Sequence, residues 1–378
     1  MKIHMQDWLA IVKKRARRTR GSDRQKSPAP LGLREFAEQL GLAPATVSLV
    51  MNGSSVADTI APETRKMILA AARKFDYRPN FFARCLRTRR SFTIGVIVPE
   101  LSEGYNVNVL SGIEDYLLQE GYFYLVASHR FQPDLVDEYT ELFLHRSVDG
   151  LIAINTSWHR ALEIPVATVS CHHSVPGAVR IVLDHDLAAE IGLKYLMDLG
   201  HRHIAFIKGQ AFVPDSEIRW NAIVAAARRV GLPIYANLVG QIDVNSPSPH
   251  LGYRVTQKLL AAGEPFTALF AFNDISAMGA IRALYECGRR VPHDVSVLGF
   301  DDIESASYQT CSLSTIRQPL NKMGKIAAES ILRRIQSPEA AAQEPGEIVV
   351  APELVERETT SVVHWARTQG EQRTVEHR

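Results

Sequence analysis

Cysteine pairs and long apolar runs are both missing from this sequence of 378 residues. Its four cysteines form no Cys-X-X-Cys pair and are widely separated, at Cys85, Cys171, Cys287 and Cys311. This spacing excludes a disulfide framework and a zinc finger, and it fits a reducing cytoplasm. No run approaches the roughly 18 apolar residues that a membrane-spanning helix needs. We therefore expect a cytoplasmic protein without a membrane partner.

Catalytic signatures are also missing. The sequence has no Gly-X-Ser-X-Gly elbow, no phosphate-binding loop, no His-Glu-X-X-His pair and no glycine fingerprint after a strand. The nearest approach to a metal site is the run Cys171, His172 and His173. Neighbouring residues on a strand point to opposite faces, so these three side chains would not converge on one ion. We expect no enzyme, no cofactor and no metal site.

The two signs of charge are unevenly distributed along the chain. Residues 1–92 carry 19 Lys and Arg against 7 Asp and Glu, whereas the remainder carries 24 against 34. The net charge of +2 hides this asymmetry. A basic end on an acidic body suits binding to nucleic-acid phosphates in one orientation, so the distribution points to a nucleic-acid partner.

Both ends of the chain are polar. Residues 1–30 end in a basic segment that cannot bury enough apolar surface to fold, so we predict a disordered arm. A solvated tail and a misassigned start codon are the alternatives. The apolar stretch at residues 8–12 precedes the basic cluster instead of following it, unlike a secretion signal. Residues 366–378 form a polar tail without the apolar heptads of a tetramerising coiled coil, which favours a dimer.

Helical periodicity begins at Leu33. Gly41 ends the first helix and Pro44 starts a second, so two short helices meet at a tight turn. The residues expected to face their small core are Leu33, Phe36, Ala37, Leu40, Val47 and Val50. A third helix starting at Pro62 would close the bundle with an apolar stripe of Ile68, Ala71, Ala72 and Phe75. The pattern predicts a helix-turn-helix, and an arbitrary helical bundle is the alternative.

After residue 93 the chain alternates short β-branched runs with amphipathic helices. The runs include TIGVIV, YFYLVAS, DGLIAI, HIAFIKG, TALFAF and DVSVLGF. Such alternation predicts parallel sheets with crossover helices, and its recurrence predicts two similar α/β lobes with a ligand cleft between them. A free solute-binding protein would show the same second domain, but it would lack the helix-turn-helix.

An ordered set of segments resembles the lac repressor/galactose repressor (LacI/GalR) family. The set begins with LREFAEQLGLAPATVSLVMNG and PETRKMILAAARKFDYRPN, and it continues with FAFNDISAMGAIRAL, VSVLGFDDIESASY and APELVERETTS. The resemblance spans roughly residues 31–361, and its specificity lies in the order of the segments. It implies a DNA-binding transcriptional repressor that responds to a small molecule.

The resemblance implies an all-α, lambda-repressor-like helix-turn-helix domain followed by a two-lobed periplasmic-binding-protein-like effector domain. We expect the DNA-binding domain at 31–78, a hinge at 79–91 and the effector domain at 92–365. Lobe 1 would comprise about 92–202 and 319–338, and lobe 2 about 203–318 and 339–365, with crossings near His203, Pro319 and Pro338. A homodimer would bind a pseudo-palindromic operator in double-stranded DNA.

The resemblance also assigns the DNA contacts. In the recognition helix, the base-facing positions are Pro44, Ala45 and Leu49, and the phosphate-facing positions are Thr46, Ser48 and Asn52. Leu49 stands where many relatives carry arginine, so contact with a thymine methyl replaces guanine reading. Packing on the bundle surface is the alternative role for Ala45 and Leu49.

The hinge would fold when two copies pack on DNA, and Leu86 would insert into the minor groove as a lever. The hinge contacts are Asn80, Ala83, Arg84, Leu86 and Arg87, with Arg89 and Arg90 near further phosphates. An ordinary apolar residue at a domain junction is the alternative for Leu86, and solvated linker charges are the alternative for the arginines.

Six residues are the expected effector contacts. They are Tyr105 and Asn106 in the first lobe, and Arg219, Asn273, Asp274 and Asp301 in the second. Asp274 has a helix cap as its alternative role, Tyr105 has packing, and Asp302 is expected to be structural. Weaker candidates are His129, Thr156, His172 and Asp184. The loop at 99–106 departs from the Asn-Pro-Phe-Phe type of sugar-responsive members, which leaves the identity of a carbohydrate-like effector open.

Overall fold

The computed structural model describes residues 31–52, 55–77, 85, 90–102, 104–171, 173, 175–243, 249–341 and 345–363. The chain divides into two compact units, residues 1–89 and 90–378. Among the described residues, no helix is both long enough and apolar enough to cross a bilayer.

The described residues of the first unit form three α-helices and one short 3-10 turn. The helices are α1 (Leu33–Gln39), α2 (Pro44–Met51) and α3 (Pro62–Lys74), and the turn is Ser55–Thr59. Both α2 and α3 carry proline in the first turn, where the missing N–H has no helical partner to lose. Gly41 adopts a φ of 63° between α1 and α2, a conformation that glycine reaches without strain. The predicted helix-turn-helix is therefore present.

The core of this unit differs from the sequence prediction at one aromatic residue. Val47, Val50 and Ile68 are buried as expected. Phe75 remains 45% exposed and only its edge approaches Phe36, so its place in the buried stripe is wrong. Tyr77 takes that place, since its ring stacks on Phe36 with centroids 4.1 Å apart and planes inclined by 13°. The helix ends at Lys74, which releases the chain to turn Tyr77 inward.

The described residues of the second unit form two six-stranded sheets. The first sheet has the order β11-β5-β4-β3-β1-β2, and its paired strands are parallel throughout. Its strands are β1 (Thr93–Val98), β2 (Phe123–Ser128), β3 (Gly150–Ile154), β4 (Val166–Val169), β5 (Ala178–Leu183) and β11 (Glu347–Val350). The helices packed with it are α4 (Tyr105–Gln119), α5 (Pro133–His145) and α11 (Leu320–Gln336).

The second sheet has the order β12-β10-β9-β8-β6-β7 and is parallel except where β12 meets β10. Its strands are β6 (Ile204–Lys208), β7 (Val239–Gln241), β8 (Ala268–Phe270), β9 (Ser296–Asp301), β10 (Ser314–Arg317) and β12 (Glu353–Val355). The helices packed with this lobe are α6 (His185–Asp198), α7 (Pro214–Arg229), α8 (Pro249–Ala261) and α9 (Asp274–Glu286). Shorter elements are α10 (Glu304–Ser307), α12 (Pro338–Ala341) and the 3-10 turn Ala236–Leu238.

The chain passes between the lobes three times, and two passages lie away from their expected positions. Helix α6 already packs on α7, β10 and β12, so the first passage lies near Asp184 and not near His203. Strand β11 still pairs with β5, so the third passage lies after Val350 and not near Pro338. The second passage follows β10 and precedes α11, which agrees with the expectation at Pro319.

Close helix pairs support both lobes. In the first lobe, a Cβ on Gly112 of α4 would overlap the carbonyl oxygen of Asn321 in α11, and a Cβ on Gly324 would overlap that of Val109. The second lobe repeats this reciprocal arrangement between α8 and α9. Since only glycine allows backbones to approach so closely, these positions fix the distance between the paired helices. The helices in turn fix the sheet edges that face the cleft.

Candidate functional site

Helix α2 presents one face outward from the small bundle. Val47 and Val50 are buried in the core, whereas Pro44 and Ala45 are exposed at the start of the helix. This places Pro44 and Ala45 on an open surface, as the sequence predicted for residues that contact base edges.

The other four recognition-helix candidates are half-buried. Leu49 packs against the edge of the small core as well as reaching the surface. Asn52 follows the last turn of α2, and its Nδ2 donates to the carbonyl oxygen of Ser48 at 2.6 Å and to Ser48 Oγ at 3.1 Å. Thr46 lies half-buried on the same helix. Contact with DNA through Asn52 therefore competes with a bond that closes the helix end.

The hinge candidates Asn80, Ala83, Arg84, Leu86 and Arg87 lie outside the described residues, as does Arg89.

Arg90 is described, and its Nη2 donates to the carbonyl oxygen of Ile335 at the end of α11, 2.7 Å away. This contact ties Arg90 to the first lobe, whereas the sequence suggested a phosphate contact. The change has a simple cause, because the last carbonyls of a helix attract cationic donors.

A cleft of about 780 Å³, counting its open mouth, lies between the lobes. It is bordered by the loop before α4, the carboxyl ends of β3 and β9, and the starts of α7 and α9. Five of the six expected effector residues line it, namely Tyr105, Asn106, Arg219, Asn273 and Asp301. Ligand sites in open α/β sheets form at this strand edge, so the position agrees with the fold.

Arg219 is fixed between two aromatic rings. Its side chain is 4% exposed, and its guanidinium carbon lies 3.7 Å from the ring centroid of Phe300 and 4.5 Å from that of Phe272. Nη1 donates to the carbonyl oxygen of Phe272 at 2.5 Å, and Nη2 lies 3.7 Å from Asp215 Oδ2. Nε makes no hydrogen bond. A planar donor held in this way retains N–H groups for a ligand atom in the cleft.

Asp301 ends β9 with a φ of 112°, a strained value for a residue with a side chain. It is 5% exposed, and its Oδ1 accepts a hydrogen bond of 2.6 Å from Gln318 Nε2. Burial raises the pKa of Asp301 to about 7, and the charge of Arg219 and the Gln318 bond only partly oppose this effect. The carboxyl group therefore changes ionisation close to neutral pH.

The first lobe contributes polar groups at the start of α4. The Tyr105 hydroxyl lies 2.6 Å from Ser170 Oγ, and its ring packs against the large core, so the packing role considered for Tyr105 is present. Asn106 is 6% exposed, and its Oδ1 has no hydrogen-bond partner. An unpaired buried acceptor at the edge of a cleft suits a ligand hydroxyl.

Asn273 and Asp274 have different surroundings although they are neighbours. Asn273 borders the cleft and caps α9, because its Oδ1 accepts from the amide of Ser276 at 2.9 Å. Asp274 does not line the cleft, so its expected effector contact is not supported. Its Oδ1 accepts from Thr315 Oγ1 at 2.6 Å and its Oδ2 from the amide of Ile303 at 2.9 Å. Asp274 therefore anchors α9 to β10 and to the loop after β9.

The weaker candidates fall into three groups. Asp184 caps α6 by accepting from the amide of Leu187 at 2.9 Å. His129 and Thr156 border a second cavity beside the cleft. His172 lies outside the described residues, and among those residues no group of His, Cys, Asp and Glu could hold a metal ion.

Several cleft residues escaped the sequence prediction. The cleft is also lined by Glu100, Ser102, Phe131, Asn155, Gln210, Val213, Asp215 and Phe272. Asp215 had a usable signal, since it lies one helical turn before Arg219 on α7. Asn155 had none, because its left-handed φ of 45° at the end of β3 is visible only in the structure.

A helix-turn-helix joined in one chain to a two-lobed α/β domain with a polar cleft defines a DNA-binding regulator that senses a small molecule. Comparison with known proteins agrees. The profile of the bacterial regulatory proteins of the lacI family matches residues 32–80, and a periplasmic binding protein-like domain matches residues 193–360. These two matches give the chain the domain composition of LacI-family regulators, and it is a sequence-specific transcriptional regulator under the control of a small molecule.

Individual relatives cover most of the chain. The transcriptional repressor PurR of Haemophilus influenzae is 27% identical over 342 residues, which are 88% of this chain and 99% of that protein. The structure of the lac repressor dimer bound to operator and the anti-inducer ONPF superposes with a TM-score of 0.77 at 26% identity, covering 88% of this chain and all of that one. A LacI-family regulator from Enterococcus faecium with bound ribose gives 0.63 at 26% identity, covering 72% of this chain and all of that one.

Proposed function

We propose that this regulator is a homodimeric repressor whose operator affinity is set by an uncharged carbohydrate bound in the cleft. The observation that carries the ligand class is the surplus of acceptors among the lining residues. Among the described residues that line the cleft there are three carboxylates, Glu100, Asp215 and Asp301, and one guanidinium, Arg219. A hydroxyl-rich ligand supplies the donors that these acceptors require.

The same charges disfavour an anionic effector. Arg219 lies close to Asp215, which leaves little positive charge for a second anion. Burial raises the pKa of Glu100 and of Asp301 because it destabilises their charged forms. A phosphate or carboxylate ligand beside them would destabilise these charged forms further. The unpaired Oδ1 of Asn106 adds an acceptor from the opposite lobe. A ligand that bonds both Asn106 and Arg219 would hold the two lobes together.

Bridging of the lobes provides the allosteric step. A ligand that contacts both lobes favours the arrangement in which all of those contacts are made, and it shifts the population toward that state. Two protomers joined as a dimer would convert this shift into a change in the position of their two hinges. Ligand and operator would then alter each other's affinity by the same factor.

On the DNA side, the exposed start of α2 supports an apolar reading mode. Pro44 and Ala45 carry no hydrogen-bonding side-chain group, and Leu49 replaces a guanine reader with an alkyl group. We propose that these three contact thymine methyl groups in each half-site, while Thr46, Ser48 and Asn52 contact phosphates. Catalysis has no part in this proposal, because the named relatives are repressors.

Fluorescence anisotropy tests both halves of the proposal. Full-length protein is titrated onto labelled DNA from upstream of its own gene at several salt concentrations. Matched ligands are then added, such as D-ribose against D-ribose 5-phosphate and D-glucose against D-glucose 6-phosphate. We expect selective, salt-sensitive binding that a neutral sugar changes at least tenfold and its phosphate does not.

Variants assign the effect to the cleft. Arg219→Ala should abolish the sugar response and leave operator binding unchanged, whereas Arg228→Ala, an exposed residue on the same helix, should leave both unchanged. Absence of any sequence-selective DNA binding would refute the repressor function. A response to the phosphates with none to the neutral sugars would refute the ligand class.

A further inference from the structure

A second and larger cavity lies beside the cleft. It encloses about 1210 Å³, counting its open side, and it is bordered by the chain after β2, the start of α5 and the chain after β3. Phe131 and Asn155 border both this cavity and the cleft, so the two spaces are adjacent. We name this space the His129 chamber after the buried side chain on its wall. Together the two spaces are larger than a single sugar ring requires.

His129 has one ring nitrogen without a partner. The side chain is 6% exposed, and its Nε2 lies 3.0 Å from Thr156 Oγ1. The hydroxyl of Thr156 already donates to the carbonyl oxygen of Ile154 at 2.7 Å, so its oxygen accepts from His129 Nε2–H. The neutral ring then has a lone pair on Nδ1, and this atom makes no hydrogen bond. Burial lowers the pKa of His129 to about 4, which keeps the ring neutral at physiological pH.

The shared residue Asn155 offers a second acceptor. Its backbone is held at a φ of 45° by a hydrogen bond of 2.8 Å from its amide to the carbonyl oxygen of Val169. Its side-chain Oδ1 is buried and has no partner. Because an unmet buried acceptor costs free energy, both Asn155 and His129 favour an occupant that carries hydrogen-bond donors.

Aromatic rings form the apolar walls of the chamber. Phe131 of the first lobe meets Phe212, which precedes α7 of the second lobe, edge to face with centroids 5.1 Å apart. Trp158 is buried behind them, and its Nε1 is already bonded to the carbonyl oxygen of Arg160. Apolar walls combined with a few unmet acceptors suit a ring that has a C–H face and hydroxyl edges, which describes a sugar ring.

We propose that the His129 chamber is a second subsite, and that the effector is a disaccharide with one ring in the cleft and the other in the chamber. The proposal rests on the carbohydrate effector proposed above. It assigns His129 Nδ1 and Asn155 Oδ1 to hydroxyls of the two rings. The Phe131 and Phe212 contact would close over the linkage, so that both lobes hold a two-ring ligand more firmly than a single ring.

Isothermal titration calorimetry of the full-length protein tests this subsite. The single-ring probes are D-glucose, D-galactose, D-xylose and D-ribose, and the two-ring probes are cellobiose, maltose, lactose and xylobiose. We expect one disaccharide to bind at least tenfold more tightly than either of its component sugars, a difference of about 1.4 kcal/mol.

Two variants test whether the His129 chamber causes the tighter binding of the disaccharide. Ser157→Trp fills the chamber from an exposed position on its rim, and His129→Leu removes the acceptor. Each should reduce the affinity for the disaccharide to that of the single sugar, without changing the affinity for the single sugar. Glu163→Trp, an exposed change in the same lobe outside both cavities, should leave all affinities unchanged.

Three results would overturn the proposal. If the natural protein and all variants bind single sugars and disaccharides with equal affinity, the subsite is refuted, but the carbohydrate effector is not. If each protomer binds two molecules of a single sugar, the disaccharide proposal is refuted, because the cleft and the chamber then hold two separate ligands. Absence of binding by every sugar in the set would refute the carbohydrate effector itself, and the subsite with it.

Discussion

Replacing Asp301 by asparagine should remove a pH dependence that the cleft imposes on the stability of the protein. Asp301 is buried, and its pKa is raised from an ordinary value near 3.8 to about 7. Between these two values the unfolded chain has released the proton while the native carboxyl retains it. The free energy of unfolding therefore decreases as the pH rises through this interval, and it levels off above about pH 7. Below the lower value the contribution is fully present.

The size of this effect follows from the two pKa values. Each tenfold change in proton affinity corresponds to about 1.4 kcal/mol, so the whole interval accounts for about 4 kcal/mol. Roughly 2.5 kcal/mol of this falls between about pH 5 and pH 8. Asparagine cannot ionise, and its Oδ1 still accepts the hydrogen bond from Gln318 Nε2. Between about pH 5 and pH 8, the free energy of unfolding of Asp301→Asn should therefore rise by about 2.5 kcal/mol relative to that of the natural protein.

Urea denaturation of both full-length proteins, followed by tryptophan fluorescence from about pH 5 to pH 8, measures this difference. The comparison is needed because burial also lowers the pKa of His129 and of His201, and these two groups titrate alike in both proteins. Asp198→Asn, which alters an exposed carboxylate paired with Lys194, serves as the control. Parallel pH profiles for the natural protein and Asp301→Asn would refute the reasoning.

Three further predictions concern packing and DNA reading. Gly324→Ala should lower the free energy of unfolding by about 1–3 kcal/mol in urea denaturation, since its Cβ would overlap the carbonyl oxygen of Val109. Gly346→Ala meets no atom within 4 Å and should have little effect, so equal losses would contradict the packing argument. Tyr77→Ala should lower the free energy of unfolding of the first unit by about 3 kcal/mol. It should reduce operator affinity, measured by anisotropy, without changing effector affinity, measured by calorimetry. Unchanged DNA binding would contradict this. Leu49→Arg should bind operators with a new guanine in each half-site, preferring them over other bases by about 1–3 kcal/mol. Selection from random DNA sequences measures this preference, and an unchanged consensus would show that position 49 does not face the bases.

Much of the fold could be predicted because its determinants are local. Gly41 and Pro44 mark the helix-turn-helix within a few residues of each other, and the alternation of strands and helices marks both lobes. The position of Asp301 at the cleft follows from the same local logic, since polar residues after parallel strands gather at one edge. Arg219 lies within α7, and only the family resemblance assigns it to the cleft.

Long-range pairing limits the same kind of prediction elsewhere. The short strands Glu347–Val350 and Glu353–Val355 are nearly adjacent in the chain, yet one pairs with β5 and the other with β10. Nothing within either segment determines its partner, so the third passage between the lobes was placed too early. Asp274 differs from Asn273 for the same reason, because Thr315 and Ile303 approach it from distant parts of the chain.

The ligand is the hardest property to read from the sequence because each lobe holds a different part of its recognition. The second lobe supplies charge and a stacked guanidinium through Arg219 and Asp301, and the first supplies unmet neutral acceptors through Asn106, Asn155 and His129. Neither set alone distinguishes a sugar from other polar ligands. The loop at 99–106 also departs from the type found in sugar-responsive members, although the unpaired acceptors of the first lobe suit hydroxyls. We therefore expect specificity to depend on closure of the lobes, which would bring both sets of groups onto one molecule, and the same closure would change the affinity for DNA.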